Sequence, residues 1–235
     1  MKKMKSILMI AALLCITTSV YAQEKRNMKV YYKSGNTLTV AVSEIDSIKF
    51  VVSEEGEEGV VINGIRWATR NVDMPGTFAA KPEDPGMFYQ WNRKIGWSST
   101  DPMVNSDGGT TWDDSEATGN TWEKPNDPCP TGWRVPTQSE HQSLADAGSQ
   151  WTTINGVNGR IFGVGNNTLF LPAAGYRYYS NGTVNHEGAY GNYCSSSCGS
   201  TTSSYHLYIY NTLVSATNSS LTRAAGFSVR CIAEQ

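Results

Sequence analysis

The stretch NDPCPTGWRVPTQSE, from Asn126 to Glu140, decides the architecture around which the remaining chain is arranged. Two prolines flank Cys129 and fix the backbone φ on both sides, so this segment cannot belong to a central strand. The alternation in WRV (133–135) predicts a short strand. Thr137 then predicts a helix N-cap, and Glu140 completes a capping box three residues later. A turn, a strand and a helix start therefore follow one another directly.

Short strands are predicted on both sides of this stretch. Alternating apolar residues predict strands over residues 28–32, 37–42, 167–179, 203–210 and 225–233. Asn-Gly pairs predict tight hairpin turns at residues 63–64, 158–159 and 181–182. The predicted helix runs from Ser139 to Gly148. We therefore expect an α+β domain over residues 59–235, with one main helix, mostly short antiparallel strands and long loops.

The predicted strand over residues 203–210 has two different faces. Leu207 and Ile209 alternate with His206, Tyr208 and Tyr210. Because successive side chains of a strand point to opposite faces, one face of this strand is aliphatic and the other is aromatic and polar.

The first 58 residues differ from the rest of the chain. Residues 1–22 combine a lysine-rich start, an apolar run and a small-residue cleavage site, which predict a secretory signal peptide. Residues 23–58 predict a small N-terminal β unit followed by the acidic linker SEEGEEG. No later apolar run reaches the roughly 20 residues that a membrane helix needs. We expect an exported protein, periplasmic, on the cell surface or secreted, without a transmembrane segment in its mature chain.

The charge balance excludes one class of partner. The formal net charge is −2 and the sequence pI is about 5.9. A nucleic-acid-binding domain would carry a basic face, so we expect no nucleic-acid partner. The 7 tryptophans and 12 tyrosines, with few charged residues, suit a β-rich exported domain with long polar loops.

Four segments occur in a characteristic order: PCPTGWRVPTQSE, GYRYYSNG, GNYCSSS and GFSVRC. On these motifs, over about residues 60–233, the chain resembles the Fibrobacter succinogenes major paralogous domain, which is common in exported proteins of the Bacteroidetes. The resemblance implies a fold similar to C-type lectins and to formylglycine-generating enzymes. The family is mostly of unknown function. At Cys194 the family pattern has an aromatic residue, so this chain departs from it by adding a thiol.

Four cysteines remain after the predicted signal peptide, an even number that favours disulfides in an exported chain. Cys129 and Cys231 are the best candidate pair, with two buried free thiols as the alternative. For Cys194 and Cys198 we expect a local disulfide. Two free thiols are one alternative, and a copper-binding redox pair like that of formylglycine-generating enzymes is another, because thiolates bind Cu(I) well.

No catalytic set emerges from the sequence, and we expect no cofactor and no metal. His141, His186 and His206 are scattered, so we expect them at the surface or with satisfied hydrogen bonds. The acidic strings at residues 112–114 and 122–127 contain oxygen ligands that suit Ca²⁺. Asx turns and N-caps are a commoner use of such residues.

Trp97, Trp112 and Trp122 lie in loops rich in Gly, Ser, Asp and Asn. Exposed rings there would stack on a sugar or anchor a protein partner, which makes the three residues candidates for ligand binding. The alternative is that they fix the long loops onto the core.

These observations favour a non-enzymatic, exported binding module for cell-surface adhesion, with a glycan or a cell-surface protein as its partner. The module could be a subunit of a surface assembly. A second hypothesis is an oxidase-like enzyme that uses Cys194, Cys198 and copper. A third is a structural component in which residues 28–50 pair with an assembly partner by strand addition.

Overall fold

The computed structural model describes residues 27–31, 37–41 and 59–234. The chain divides into two compact units, Met1–Glu54 and Glu55–Gln235. The predicted signal peptide, the segment after the second predicted strand and most of the acidic linker lie outside the described residues.

The described part of the first unit is a pair of antiparallel strands, β1 (Asn27–Tyr31) and β2 (Thr37–Ala41). Their register places Val30 opposite Leu38. Both predicted strands are confirmed. Within the described residues they form a two-stranded sheet, an arrangement that is marginally stable alone.

The second unit is rich in strands. The described residues contain one α-helix, α1 (Gln138–Asp146), and a short 3₁₀ helix (Lys124–Asn126). They also contain fourteen strands: β3 (Val60–Ile62), β4 (Ile65–Trp67), β5 (Phe88–Tyr89), β6 (Gly96–Trp97), β7 (Trp133–Arg134), β8 (Ser149–Ile154), β9 (Val157–Val164), β10 (Asn167–Pro172), β11 (Tyr176–Arg177), β12 (Val184–Asn185), β13 (Gly191–Cys198), β14 (Ser204–Ile209), β15 (Val214–Asn218) and β16 (Ile232–Ala233). This composition is α+β, as expected.

The helix begins at the predicted cap. The Thr137 hydroxyl accepts a hydrogen bond from the Glu140 backbone N–H at 3.3 Å, and the Glu140 carboxylate accepts from the Thr137 N–H at 2.7 Å. Arg134 donates to both carboxylate oxygens of Glu140 at 3.0 and 2.6 Å. The ion pair and the capping box together fix the passage from β7 into α1.

A four-stranded sheet of order β3-β4-β16-β7 joins the two ends of the unit. Ile232 of β16 pairs with Trp67 on one side and with Arg134 on the other. The predicted disulfide between Cys129 and Cys231 is present, with Cα atoms 6.1 Å apart, and it holds the last strand next to the turn that precedes α1.

Two three-stranded sheets complete the frame, β10-β9-β8 and β13-β14-β15. Helix α1 contacts all three strands of the latter. On the face toward the helix, Leu207 and Ile209 of β14 are buried in one core cluster with Leu144 of α1. The predicted aliphatic face of residues 203–210 is therefore confirmed. The opposite face borders a second core cluster that includes Phe227.

Sequence patterns misplaced one hairpin. The predicted turn at residues 63–64 is confirmed between β3 and β4. Of the two adjacent Asn-Gly pairs, however, Asn155-Gly156 forms the turn between β8 and β9, and Asn158-Gly159 lies inside β9. The close packing of β10 explains the choice, because a Cβ on Gly159 would lie 2.3 Å from the Leu171 carbonyl oxygen.

Two strand predictions were too long. Residues 167–179 break into β10 and β11. Residues 225–231 make isolated bridges to several partners and join a regular sheet only at β16. The pair at 181–182 lies between β11 and β12, in a connection longer than the predicted two-residue turn. Among the described residues, none of the helical structure has the length and apolarity of a membrane span.

Candidate functional site

A cleft of about 260 Å³ opens on the aromatic face of the β13-β14-β15 sheet. We call it the tyrosine cleft. The residues that line it are Tyr176, His186, Tyr190, Asn192, His206, Tyr208, Asn218, Ser220 and Leu221.

The sheet supplies the floor of the tyrosine cleft. Asn192 of β13 lies directly opposite Tyr208 of β14, and His206 lies two residues before Tyr208 on the same face. Asn218, which ends β15, lies opposite His206. Strand alternation therefore places an amide, an imidazole and a phenol next to one another. The same alternation places Leu207 and Ile209 in the core on the other side.

Strand β11, which carries Tyr176, and the loop between β12 and β13, which carries His186 and Tyr190, supply the other rings. His186 has a left-handed φ of 59°, and its carbonyl accepts from the Tyr190 N–H at 3.0 Å. The Tyr190 carbonyl accepts in turn from the Gly175 N–H at 2.7 Å. Gly175 has a φ of 75°, and a Cβ there would lie 2.3 Å from the Asn185 carbonyl oxygen. A glycine is therefore required where the chain turns to present Tyr176.

The rings of the cleft contact one another in a continuous series. Tyr176 stacks on His186 with ring centroids 5.9 Å apart, and His186 contacts Tyr190 at 4.5 Å. Tyr190 meets Tyr208 edge-on at 5.5 Å and Tyr210 at 5.9 Å. Neighbouring rings therefore restrict the motion of each ring. This reduces the conformational entropy that the side chains would lose when a ligand binds.

The tyrosine cleft is electrically neutral in composition. The nine described residues that line it include no Asp, Glu, Lys or Arg. Burial, followed by the nearby groups of Tyr190 and Tyr210, raises the pKa of Tyr208 to about 12. The Tyr208 hydroxyl therefore keeps its proton at neutral pH. The arrangement offers ring faces and neutral hydrogen-bonding groups, which suits binding of an uncharged ligand.

The floor contains polar atoms that the protein leaves unpaired. His206 and Asn192 are each 1% exposed. Both ring nitrogens of His206 and the side-chain nitrogen of Asn192 are buried without a hydrogen-bond partner. Burial lowers the pKa of His206 to about 4, although the Ser204 backbone, which lies near the ring but outside hydrogen-bonding geometry, acts in the opposite direction. The expectation of a surface or satisfied histidine was wrong for His206, because the sheet pairing carries its ring under the cleft.

Two larger grooves have different linings. One of about 500 Å³ is bordered by Arg93, Lys94, Glu116 and Glu123, and its other walls lack aromatic rings. Another of about 630 Å³ lies beside β3 and the start of β10. The first groove is lined by two cations and two carboxylates, which lie at the exposed surface where charges are screened by solvent. The tyrosine cleft is the better candidate because its rings and unpaired polar atoms converge.

The tryptophans predicted to bind a ligand have structural contacts. Trp97 is 3% exposed and packs on Trp112 with ring centroids 4.9 Å apart. The Trp112 indole donates to the Tyr179 carbonyl at 2.7 Å. Trp122 donates to the Asn126 carbonyl at 3.0 Å and meets Trp91 edge-on. Trp97 offers no face to a ligand, so its prediction was wrong. The contacts of Trp112 and Trp122 favour the alternative that these rings fix loops to the core.

The predicted disulfide between Cys194 and Cys198 is wrong, because both cysteines are free. They lie in the same strand, β13, where four residues span about 13 Å. A disulfide needs Cα atoms about 4.4–6.8 Å apart. The Cys194 thiol is buried and donates to the Tyr89 carbonyl at 3.3 Å. Burial raises the pKa of Cys194, and this opposes formation of the thiolate that a copper or redox site requires.

The acidic strings form turns. Asp113 accepts from the Ser115 backbone N–H at 3.0 Å, and Asp127 accepts from the Cys129 N–H at 2.9 Å. Both are Asx turns, as the commoner interpretation predicted. Asp127 also accepts from the Val135 N–H, which joins the cysteine turn to β7. Within the described part of the chain, no group of three His, Cys, Asp or Glu side chains is arranged to hold a metal ion.

The sequence predicted a shared face for two of the nine residues that line the tyrosine cleft. The alternation over residues 203–210 placed His206 and Tyr208 on one face. Nothing in the sequence indicated that Tyr176 and Tyr190 would cover that face, because loop conformation and the left-handed His186 decide it. The clustering of tyrosines in GYRYYSNG and in SYHLYIY was the available signal.

The scan of protein-family models, the search of curated proteins and the search of solved structures find no match to this chain.

Proposed function

We propose that this protein is an exported, non-enzymatic binding module that recognises a neutral glycan through the tyrosine cleft. The observation that carries the proposal is the convergence of tyrosine rings and uncharged hydrogen-bonding groups on one cleft, where the described lining residues include no carboxylate and no cation. A sugar ring has an apolar face and a polar edge. Stacking satisfies the first and hydrogen bonds satisfy the second.

The size of the cleft limits the ligand. Its volume of about 260 Å³ is just below the roughly 300–1,000 Å³ found for pockets that enclose drug-sized molecules. The cleft therefore suits one sugar ring or the end of a chain. Adhesion to a cell surface, where many copies of a terminal sugar are displayed, is compatible with such a site because multivalency raises avidity.

A binding assay with two matched tyrosine variants tests the proposal. The full chain is screened on an array of neutral oligosaccharides, and the strongest binder is titrated calorimetrically. Tyr190→Ala removes a ring of the cleft and should weaken binding about five- to thirtyfold, since an aromatic contact and its area contribute about 1–2 kcal/mol. Tyr179→Ala, on an exposed ring outside the cleft, should leave affinity unchanged. Absence of any carbohydrate binding, or equal effects of the two variants, would refute the proposal.

Export is supported by the composition of residues 1–22 and by the disulfide between Cys129 and Cys231, since disulfides persist in oxidising compartments. We also propose a C-type lectin-like fold and membership of the Fibrobacter succinogenes major paralogous domain family. These rest on the four sequence motifs, with which a strand-rich unit carrying one helix is compatible. Mass spectrometry of the mature N-terminus in the extracytoplasmic fraction tests export.

The first unit gives a second proposal, that β1 and β2 pair with an assembly partner. Within the described residues each strand has a neighbour on one side, so its other edge offers unpaired backbone groups for strand addition. Deletion of residues 23–58 should abolish assembly and leave glycan binding intact. An unchanged oligomeric state, measured by light scattering with and without these residues, would contradict this proposal.

A further inference from the structure

The floor of the tyrosine cleft has a specific set of unpaired hydrogen-bond donors and acceptors. Asn192 presents an unpaired N–H donor, and His206 presents two unpaired nitrogens. A neutral imidazole has one N–H donor and one acceptor nitrogen. The depressed pKa of about 4 keeps His206 neutral at physiological pH. The floor therefore presents two donor groups, the NH2 of Asn192 and one N–H of His206, and one acceptor nitrogen on two adjacent side chains.

Few chemical groups complement this set. A carboxylate supplies acceptors only, so the acceptor nitrogen of His206 would stay unpaired. An ammonium supplies donors only, so the two donors would stay unpaired. A secondary amide supplies a carbonyl oxygen and an N–H side by side. Its carbonyl accepts from Asn192, its N–H donates to the acceptor nitrogen of His206, and a neighbouring sugar hydroxyl accepts from the remaining His206 N–H.

The surroundings of the floor match the rest of such a ligand. Leu221 is the one aliphatic side chain among the residues that line the cleft, and it is partly buried against the second core cluster. A methyl group next to the amide has an apolar contact there. The His206 ring is fixed by Phe227, with ring centroids 4.8 Å apart, so the imidazole is positioned before a ligand arrives.

We propose that the tyrosine cleft binds an acetamido sugar of the N-acetylhexosamine class, whose acetamido group is recognised by Asn192 and His206. This inference rests on the proposed function, because it names the ligand class of the same cleft. Tyr190 and Tyr208 contribute ring contacts to any sugar. A hydroxyl also supplies a donor and acceptors, but on one oxygen, whereas an acetamido group supplies them on two atoms, one for each floor side chain, and adds a methyl group that contacts Leu221.

Paired ligands test the discrimination. The full chain is titrated with the methyl glycosides of N-acetylglucosamine and N-acetylgalactosamine and with those of glucose and galactose. We expect at least one acetamido sugar to bind ten times more tightly, or better, than its hydroxyl counterpart. A buried site that leaves polar groups unpaired with the wrong ligand discriminates strongly against it.

Two floor variants assign that discrimination. His206→Phe keeps a flat ring on Phe227 and removes both nitrogens, and Asn192→Leu removes the amide with little change in size. Each should reduce the preference for the acetamido sugar to less than threefold while ring-dependent binding of hydroxyl sugars persists. Tyr179→Ala is the control and should retain the full preference. Circular dichroism checks that each variant is folded.

Nitrogen NMR of the wild-type imidazole gives a readout that needs no variant. Addition of N-acetylglucosamine should shift the His206 ring nitrogens, and glucose at equal saturation should shift them less. If acetamido and hydroxyl sugars bind equally, with Tyr190 still required, this inference is overturned and the proposed glycan binding stands. If none of the sugars binds, both the proposed function and this inference are refuted.

Discussion

Replacement of Cys129 and Cys231 together by alanine removes the covalent link between the cysteine turn and the last strand. The bridge spans 102 residues. In the loop-entropy model, a closed loop of this length stabilises the folded state by about 4–5 kcal/mol, and measured values are more often about 2–4 kcal/mol. We expect the double variant to lose about 3–4 kcal/mol, because Cys231 is also fully buried.

A loss of this size leaves the double variant folded but with a measurably lower free energy of unfolding. A domain of this size is stable by about 5–15 kcal/mol. With a urea m-value of about 2–3 kcal/mol/M, the midpoint should fall by about 1–2 M. Tryptophan fluorescence reports the transition directly, because Trp133 lies in β7 close to the bridge. The reduced wild-type protein should behave like the double variant.

A single thiol variant separates the bridge from nonspecific effects. Cys198→Ala removes a partly buried free thiol, and its midpoint should lie within about 0.2 M of wild type, as for a surface substitution. A double variant with an unchanged midpoint would refute the reasoning. It would show that pairing of Ile232 with Trp67 and Arg134, without the disulfide, is sufficient to hold the last strand.

Three further predictions concern other parts of the second unit. Cys194 should resist alkylation in the folded protein and Cys198 should react faster, and mass spectrometry of unreduced, denatured protein should find both thiols free; a 2 Da mass deficit from a Cys194–Cys198 bridge would contradict this. Thr137→Ala should reduce the free energy of unfolding by about 1 kcal/mol through loss of the helix cap, as measured in urea, whereas Thr137→Ser should recover most of it. Burial lowers the pKa of His206 to about 4 and that of His141 to about 3. The unfolded chain therefore binds more protons than the folded one as pH falls below about 6.5. Each histidine then reduces the free energy of unfolding by on the order of 1 kcal/mol per pH unit, until the pH reaches its folded-state pKa. A His206→Phe variant whose free energy of unfolding falls with the wild-type slope between pH 6 and 4.5 would contradict this.

Local chemistry made part of the fold predictable. The capping box at Thr137 and Glu140 and the Asn63-Gly64 turn depend on residues within four positions of one another, and both appear as predicted. The Cys129–Cys231 bridge was predicted from the even number of cysteines that follow the predicted signal peptide. The α+β class followed from the ratio of strand patterns to helix patterns.

Competition between equivalent local signals made other parts unpredictable. Asn155-Gly156 and Asn158-Gly159 have the same turn chemistry, and the packing of Gly159 against β10 decides between them. Likewise, spacing alone allowed a disulfide between Cys194 and Cys198. The extended strand separates the two thiols, and this separation is set by pairing with β14, a long-range contact that no local pattern reveals.

The candidate site shows the same division between local and long-range information. Strand alternation assigned His206 to the polar face, but a histidine on such a face is ordinarily expected to meet water or a partner. Its burial depends on long-range packing, in which the centroid of its ring lies 4.8 Å from that of Phe227. The candidate site is the tyrosine cleft and not the three tryptophans, because the exposure and convergence of side chains depend on tertiary packing.

The cost of the cleft floor is itself an argument for a ligand. Each buried polar atom without a partner destabilises the folded state by about 1–3 kcal/mol, so the three on Asn192 and His206 cost on the order of 3–9 kcal/mol before water or a ligand pairs with them. That is a large fraction of the stability of a typical domain. Phenylalanine and leucine would fill the same positions without this cost. We therefore expect His206→Phe to raise the free energy of unfolding while it weakens selective binding, the combination typical of a site in which stability is exchanged for recognition. A variant that is less stable than wild type would instead assign the imidazole to the structural core.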